Sequence, residues 1–297
     1  MSLLANPVLT RELRGRIRGN RAMIILIIYL SIIAAVTLLV YAAAASSFRG
    51  GISDPEAGRG IGKAIFITVM IVSLVQVCVI TPSLTAGTIA GEKERQSYDL
   101  LITTLLSPLQ ILLGKLASAI AFAMLLIMAA LPMAGLSFLF GGVSGTELLI
   151  AIAGLVATAI SYAALGLFWS TVMRTTLGAT VMAQGTVVMI LLIIPFLFVV
   201  ISLITGSFSN SDDPIFIYAM GLLLSTHPFI ALGITAAALE SGEGVFWFEI
   251  PSSQGQLIVP SPWLVYLLIA ALITVTSLFL ARRFLVPVEE GAGKGKK

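Results

Sequence analysis

Charge is scarce in this chain. Of 297 residues, 10% are Asp, Glu, Lys or Arg, 58% are hydrophobic, and the mean hydropathy is +1.07. Soluble proteins carry about a quarter of their residues as charges, so a water-dispersed globule is excluded and lipid is the expected solvent. The one cysteine, Cys78, lies inside an apolar stretch, which excludes an internal disulfide or a cysteine-based metal cluster. It reads as a small buried hydrophobe. The one histidine, His227, would have to serve any histidine dyad or metal site alone. Ser225 lies two residues away, a spacing common by chance, and the pair reads as a polar break rather than a catalytic couple. No G-x-x-x-x-G-K-[ST] phosphate loop occurs. The terminal GAGKGKK lacks both a preceding strand and a following Ser or Thr. The chain is therefore expected to be no enzyme by itself and to hold no cofactor or metal.

Long apolar runs are what the sequence has. They fall at about 22–45, 64–90, 116–140, 148–171, 178–205 and 263–281. Each meets the roughly 20 residues that a helix needs to cross hydrocarbon. The run at 22–45 follows an arginine-rich stretch, as in a signal peptide. It is longer than the roughly 7–15 residues of a cleavable core, so it reads as an uncleaved first span. A seventh stretch, 214–240, is interrupted by His227-Pro228. Each half has only enough residues to reach about midway through a membrane at 1.5 Å per residue.

The basic residues orient the chain. With the N-terminus inside and 214–240 not crossing, Arg11, Arg14, Arg16, Arg18, Arg21, Lys93, Arg95, Lys115, Arg174, Arg282, Arg283, Lys294, Lys296 and Lys297 are cytoplasmic. That places 14 of the 17 basic residues inside, with Arg49, Arg59 and Lys63 outside. The segment 206–262 has no Lys or Arg but carries Asp212, Asp213, Glu240, Glu243 and Glu249. The expected fold is an all-α integral membrane protein of six spans, with both termini in the cytoplasm and a re-entrant helical hairpin before the last span. Residues 1–284 form the membrane domain and 285–297 a disordered basic tail.

Ahead of the first span, Leu9, Leu13 and Ile17 recur at helical spacing while Arg11, Arg14 and Arg18 take other faces. This suits a helix lying in the cytoplasmic interface; the alternative is a plain positive-inside anchor. No Asp, Glu, Lys or Arg falls within the six runs, and Gln76 and Gln184 are polar exceptions that do not titrate. An ion-coupled transporter, which needs intramembrane ionisable groups, is disfavoured. Gly154, Ala159, Ala163 and Gly166 in the fourth run suit either close helix packing or a lipid-facing surface. Pro132 and Pro195 sit inside spans three and five.

One internal segment stands apart. It leaves span two as Gly91-Glu92-Lys93-Glu94-Arg95-Gln96-Ser97-Tyr98, continues through the apolar 100–106, and breaks at Ser107-Pro108. Ser107 is placed to N-cap a new helix with Pro108 in its first position. Glu92 and Arg95 would pair in a solvated loop helix. Tyr98, Leu100, Leu101, Leu105 and Leu106, however, are a costly apolar set to leave in water, and they suit docking to a partner.

The run IAGEKERQSYDLLITTLLSPLQILLGK resembles the segment between spans two and three of type-2 ABC transporter permeases, the membrane subunits of a class of bacterial exporters. The likeness rests on Gly91-Glu92-Lys93-Glu94-Arg95, Leu100-Leu101, Ser107-Pro108 and Gly114-Lys115 in that order. The N-terminal Asn6 to Leu13 is similar to that family's interfacial helix. Gln96-Ser97-Tyr98 stands where the family often has Gly-Thr.

The resemblance implies that 91–106 is a coupling helix seated in a groove of a separate ATPase. Glu92, Glu94 and Arg95 would be its charged contacts, with Tyr98 and Leu101 on its apolar side. It also implies that the 214–240 hairpin, turning at His227 and Pro228, forms an outer gate near a dimer axis. The expected function is the permease subunit of an ABC exporter in the bacterial cytoplasmic (inner) membrane, with ATP and Mg on the partner. The expected partners are the ATPase, a second permease subunit and membrane lipids, with no nucleic acid. Alternatives from other classes are a membrane anchor or scaffold subunit, and an ATP-independent transporter.

Overall fold

The computed structural model describes residues 20–47, 55–98, 107–206, 213–252 and 255–285. Eight helices and one small hairpin are described: α1 Asn20–Ser47, α2 Pro55–Glu94, α3 Pro108–Leu139, α4 Gly145–Val172, α5 Thr176–Thr205, α6 Pro214–Ser225, α7 Pro228–Glu240, β1 Trp247–Ser252, β2 Gly255–Pro260 and α8 Pro262–Leu285. Six of the helices are long and apolar enough to cross a membrane, as the apolar runs predict. The multi-pass membrane architecture follows.

Several helices extend past the apolar runs. At 40 residues, α2 is about 60 Å long, twice the roughly 30 Å hydrocarbon thickness. The extra turns bring Lys63, Lys115 and Glu147 into helices, where the sequence reading had left them between spans. Ser107 caps α3 as expected. Its hydroxyl accepts from the Gln110 N–H while the Gln110 side chain returns to the Ser107 N–H, a reciprocal cap that satisfies two otherwise orphan donors. Ser144 and Glu147 do the same for α4. Pro132 and Pro195 both lie inside continuous helices.

Helix α2 is the axis of the bundle, with its most extensive contact to α4, which in turn packs along α8. One apolar core joins α1, α2 and α3 through Ile33, Ile61, Val69, Phe122 and Leu126. A second joins α2, α3, α4 and α7 through Leu74, Val77, Ile127, Leu155 and Leu232. The small residues of α4 are packing residues: Gly154, Ala159, Ala163 and Gly166 are all buried. At Gly166 a side chain would stand 2.3 Å from Thr85 Oγ1 and 2.4 Å from the Pro82 carbonyl oxygen, so only glycine lets α2 and α4 approach this closely. At the opposite end of α2 a Cβ on Gly142 would lie 2.4 Å from the Arg59 carbonyl, which seats the α3–α4 turn on the first turns of α2.

The two ends differ in charge. Lys93, Arg95, Lys115, Arg174, Arg282 and Arg283 gather at one, here the basic end. Glu56, Glu147, Asp213, Glu240, Glu243 and Glu249 gather at the other, with Arg59 and Lys63.

The 214–240 stretch is two helices bent by 118° at Thr226-His227. Each helix makes a polar contact outside the pair. The Tyr218 hydroxyl donates to the Ile258 carbonyl at 2.9 Å, and Glu240 lies 3.5 Å from Lys63. The segment following it departs from an all-helical expectation: β1 and β2 pair antiparallel from Trp247↔Pro260 to Ser252↔Gly255. Aromatic and β-branched residues on either side of a short polar, glycine-containing turn favour that pairing. Trp263 ties the hairpin down, its indole N–H donating to the Val245 carbonyl at 2.9 Å.

Candidate functional site

The segment singled out by the sequence begins where α2 ends at the basic end. Gln96 adopts the left-handed conformation (φ 57°), the Ser97 N–H returns to the Glu92 carbonyl at 2.9 Å, and the chain turns off the helix. Tyr98 then reaches across, its hydroxyl donating to the carbonyl of Leu285, the last residue of α8, at 2.7 Å. The Lys93 ammonium sits 5.4 Å from the centre of the Tyr98 ring, a cation–π contact, and donates to the Thr171 carbonyl of α4.

The two carboxylates are each held by a different helix. Glu94 Oε2 accepts from the Thr176 N–H at 3.0 Å and from its hydroxyl at 2.8 Å. The charge therefore lies against the first turn of α5, where unpaired N–H groups and the helix dipole favour an anion. Glu92 Oε1 lies 3.0 Å from Lys115 Nζ of α3. Lys115, 1% exposed, also donates to the Thr88 carbonyl at 3.1 Å. One turn deeper, Ser170 Oγ of α4 accepts from the backbone N–H groups of Ile89 and Ala90 at 2.8 and 3.0 Å. The end of α2 is thus bonded through side chains to α3, α4 and α5, and through Tyr98 to α8.

Of the residues expected to meet a partner, Glu92, Glu94 and Tyr98 have partners within the chain, and Arg95 is exposed. Leu101, with the rest of 99–106, lies outside the described residues, as do Leu9, Arg11, Leu13, Arg14 and Ile17 of the interfacial helix and the tail from 286. Sequence reasoning missed Ser170, Thr171 and Thr176. Lys115 was legible as a basic residue at a span's edge and as part of the Gly114-Lys115 step, but not as the partner of Glu92; its burial follows from α3 starting at Pro108.

A polar seam lies further along α2. Pro82 has no N–H to donate to the preceding turn. Next to it the Gln184 side-chain amide of α5 donates to the Val79 carbonyl and, at 2.7 Å, to Ser83 Oγ. Thr85 Oγ1 donates to the Pro82 carbonyl at 3.2 Å. The second polar exception, Gln76, is buried, and its carbonyl oxygen has no hydrogen-bond partner among the described residues.

At the bend between α6 and α7, His227 caps α7, its Nδ1 accepting the Ile230 N–H at 3.3 Å. That leaves the proton on Nε2, which lies 3.2 Å from the Leu191 carbonyl, near the middle of α5. Pro228 follows in the first helical position, where its missing N–H costs nothing. The bend is therefore pinned, by the His227 imidazole, halfway along a neighbouring helix. Compared with protein-family models and with curated proteins, the sequence gives no significant match to either.

Proposed function

We propose that this chain is the membrane-spanning permease subunit of an ATP-binding cassette exporter, driven by a separate ATPase that docks at the basic end. The observation that carries the reading is the clamp around the end of α2. Residues 91–98 are bonded to α3, α4, α5 and α8 through Lys115, Thr171, Thr176 and Leu285. A push on this segment is passed to four helices as a rigid unit, which is what a transporter powered from outside the membrane requires. Arg95, Arg174, Arg282 and Arg283 are exposed at this end to meet the partner.

In this reading the basic end is cytoplasmic, in line with the positive-inside bias, and both termini share that side of the bacterial cytoplasmic membrane. The α6–α7 pair is re-entrant. Both of its ends lie at the acidic, outer end while His227 reaches Leu191 at mid-depth. His227 and Pro228 form the turn of an outer gate. Two such subunits, alike or related, enclose the path, and ATP and Mg belong to the partner. Reconstitution into vesicles with the co-purified ATPase tests the proposal. Transport should stop when the partner's phosphate-loop lysine is replaced, and transport that persists would return the chain to the ATP-independent transporters.

A further inference from the structure

Two cavities adjoin at the acidic half of the bundle, and they differ in chemistry. The deeper, about 150 Å³, is a groove between α2, α4 and α7 with apolar walls that include Phe66, Met70, Ile150, Phe229 and Leu232. The outer one, about 580 Å³, is lined by charge: Glu56, Arg59, Lys63, Glu147 and Glu240. Glu147 and Leu239 belong to the walls of both, so the polar chamber sits directly over the groove. On the groove's rim Ile67 and Ile71 are 42% and 47% exposed, so it opens sideways from the bundle.

Size and charge narrow the occupant. A space of about 150 Å³ walled by aliphatic and aromatic side chains matches a benzene-sized body in volume, so the groove takes about six carbons of a single chain. In the chamber, Lys63 is held by Glu147 at 2.5 Å and Glu240 at 3.5 Å. Arg59 is exposed and, among the described residues, has no ion pair or hydrogen bond. Glu240, 64% exposed, keeps a face toward solvent. Lys63 is already held by two carboxylates, which disfavours a purely anionic headgroup, and an unpaired guanidinium disfavours a purely cationic one. A headgroup bearing both signs satisfies both.

We propose that the groove and the chamber form one site for a bilayer phospholipid with a zwitterionic headgroup, its phosphate at Arg59, its ammonium at Glu240 and part of one acyl chain between α2, α4 and α7. The site belongs to this chain alone and does not rest on an ATPase partner.

The test is equilibrium binding of radiolabelled lysophosphatidylethanolamine to the detergent-purified full chain, with thermal unfolding as a folding control. Gly233 lines the groove, and a Cβ there meets nothing within 4 Å. Gly233→Leu therefore fills the groove while favouring the helix. Saturable binding of one lipid per chain is expected, weakened at least about tenfold by Gly233→Leu and about threefold by Arg59→Gln, as befits an exposed charge. Monoacylglycerol of the same chain should bind more weakly than either zwitterionic or anionic lysolipid, and the zwitterionic one best. Ala236→Leu, on the same wall, replaces Gly233→Leu should the latter unfold early. Non-saturable uptake, or equal affinity in wild type and a folded groove-filled variant, overturns the site. Equal affinity for monoacylglycerol overturns the assignment of the headgroup.

Discussion

Glu92 carries two roles that pull apart under mutation. Its carboxylate pairs with Lys115, which is almost wholly buried, and neutralising it takes a charged hydrogen-bond partner from that ammonium. Glu92→Gln should therefore lower stability by about 1–3 kcal/mol. The double change Glu92→Gln/Lys115→Met should recover most of that loss, read as thermal unfolding in detergent. Gly166→Ala should cost about 1–3 kcal/mol by forcing α2 and α4 apart, because its Cβ would stand 2.4 Å from a backbone oxygen; the same assay reads it. These residues show the limit of one-dimensional reading. Glu92 was visible as a charge in a suggestive motif, and its nearest sequence partner was Arg95. Its partner in the fold is 23 residues away, and that of Glu94 is 82 away. No local periodicity encodes such pairings.

Elements were far more legible. Apolar length gave the six spans, Ser107-Pro108 marked a helix start that the structure places there, and His227-Pro228 marked a break where the structure ends one helix and caps the next. Both are local signals: a capping side chain, then a residue that needs no N–H donor. The β1–β2 hairpin was missed although Phe246 to Pro260 carries aromatic and β-branched residues around a glycine turn, because the surrounding apolar runs dominate any hydropathy reading. The α6–α7 hairpin makes a geometric prediction. In a Cys78→Ala background, Asp213→Cys and Glu240→Cys should both react with a membrane-impermeant maleimide added to the outer side, and Ser225→Cys, buried at the bend, should not. Reaction of positions 213 and 240 from opposite sides would make the pair a seventh span.

At the scale of the whole molecule, the bundle has a basic end where α2 is bonded to four other helices and an acidic end with a charged chamber over an apolar groove. The core in between is closely packed through Gly166 and its neighbours. The clamp at the basic end also decides which variant probes the docking. Reversing Glu92 or Glu94 would disturb α3 or α5 first, whereas Arg95 is exposed beside them and acts on the clamp only through its charge beside Glu94, so its reversal leaves the clamp's hydrogen bonds in place. The most direct measurement is gentle-detergent affinity purification of the wild-type chain and Arg95→Glu from native cells, with co-purifying proteins identified by mass spectrometry. An ATP-binding cassette ATPase should accompany wild type in stoichiometric amount and fall at least about tenfold in Arg95→Glu at unchanged thermal stability. Wild-type protein that carries no ATPase yet transports on its own would contradict the account.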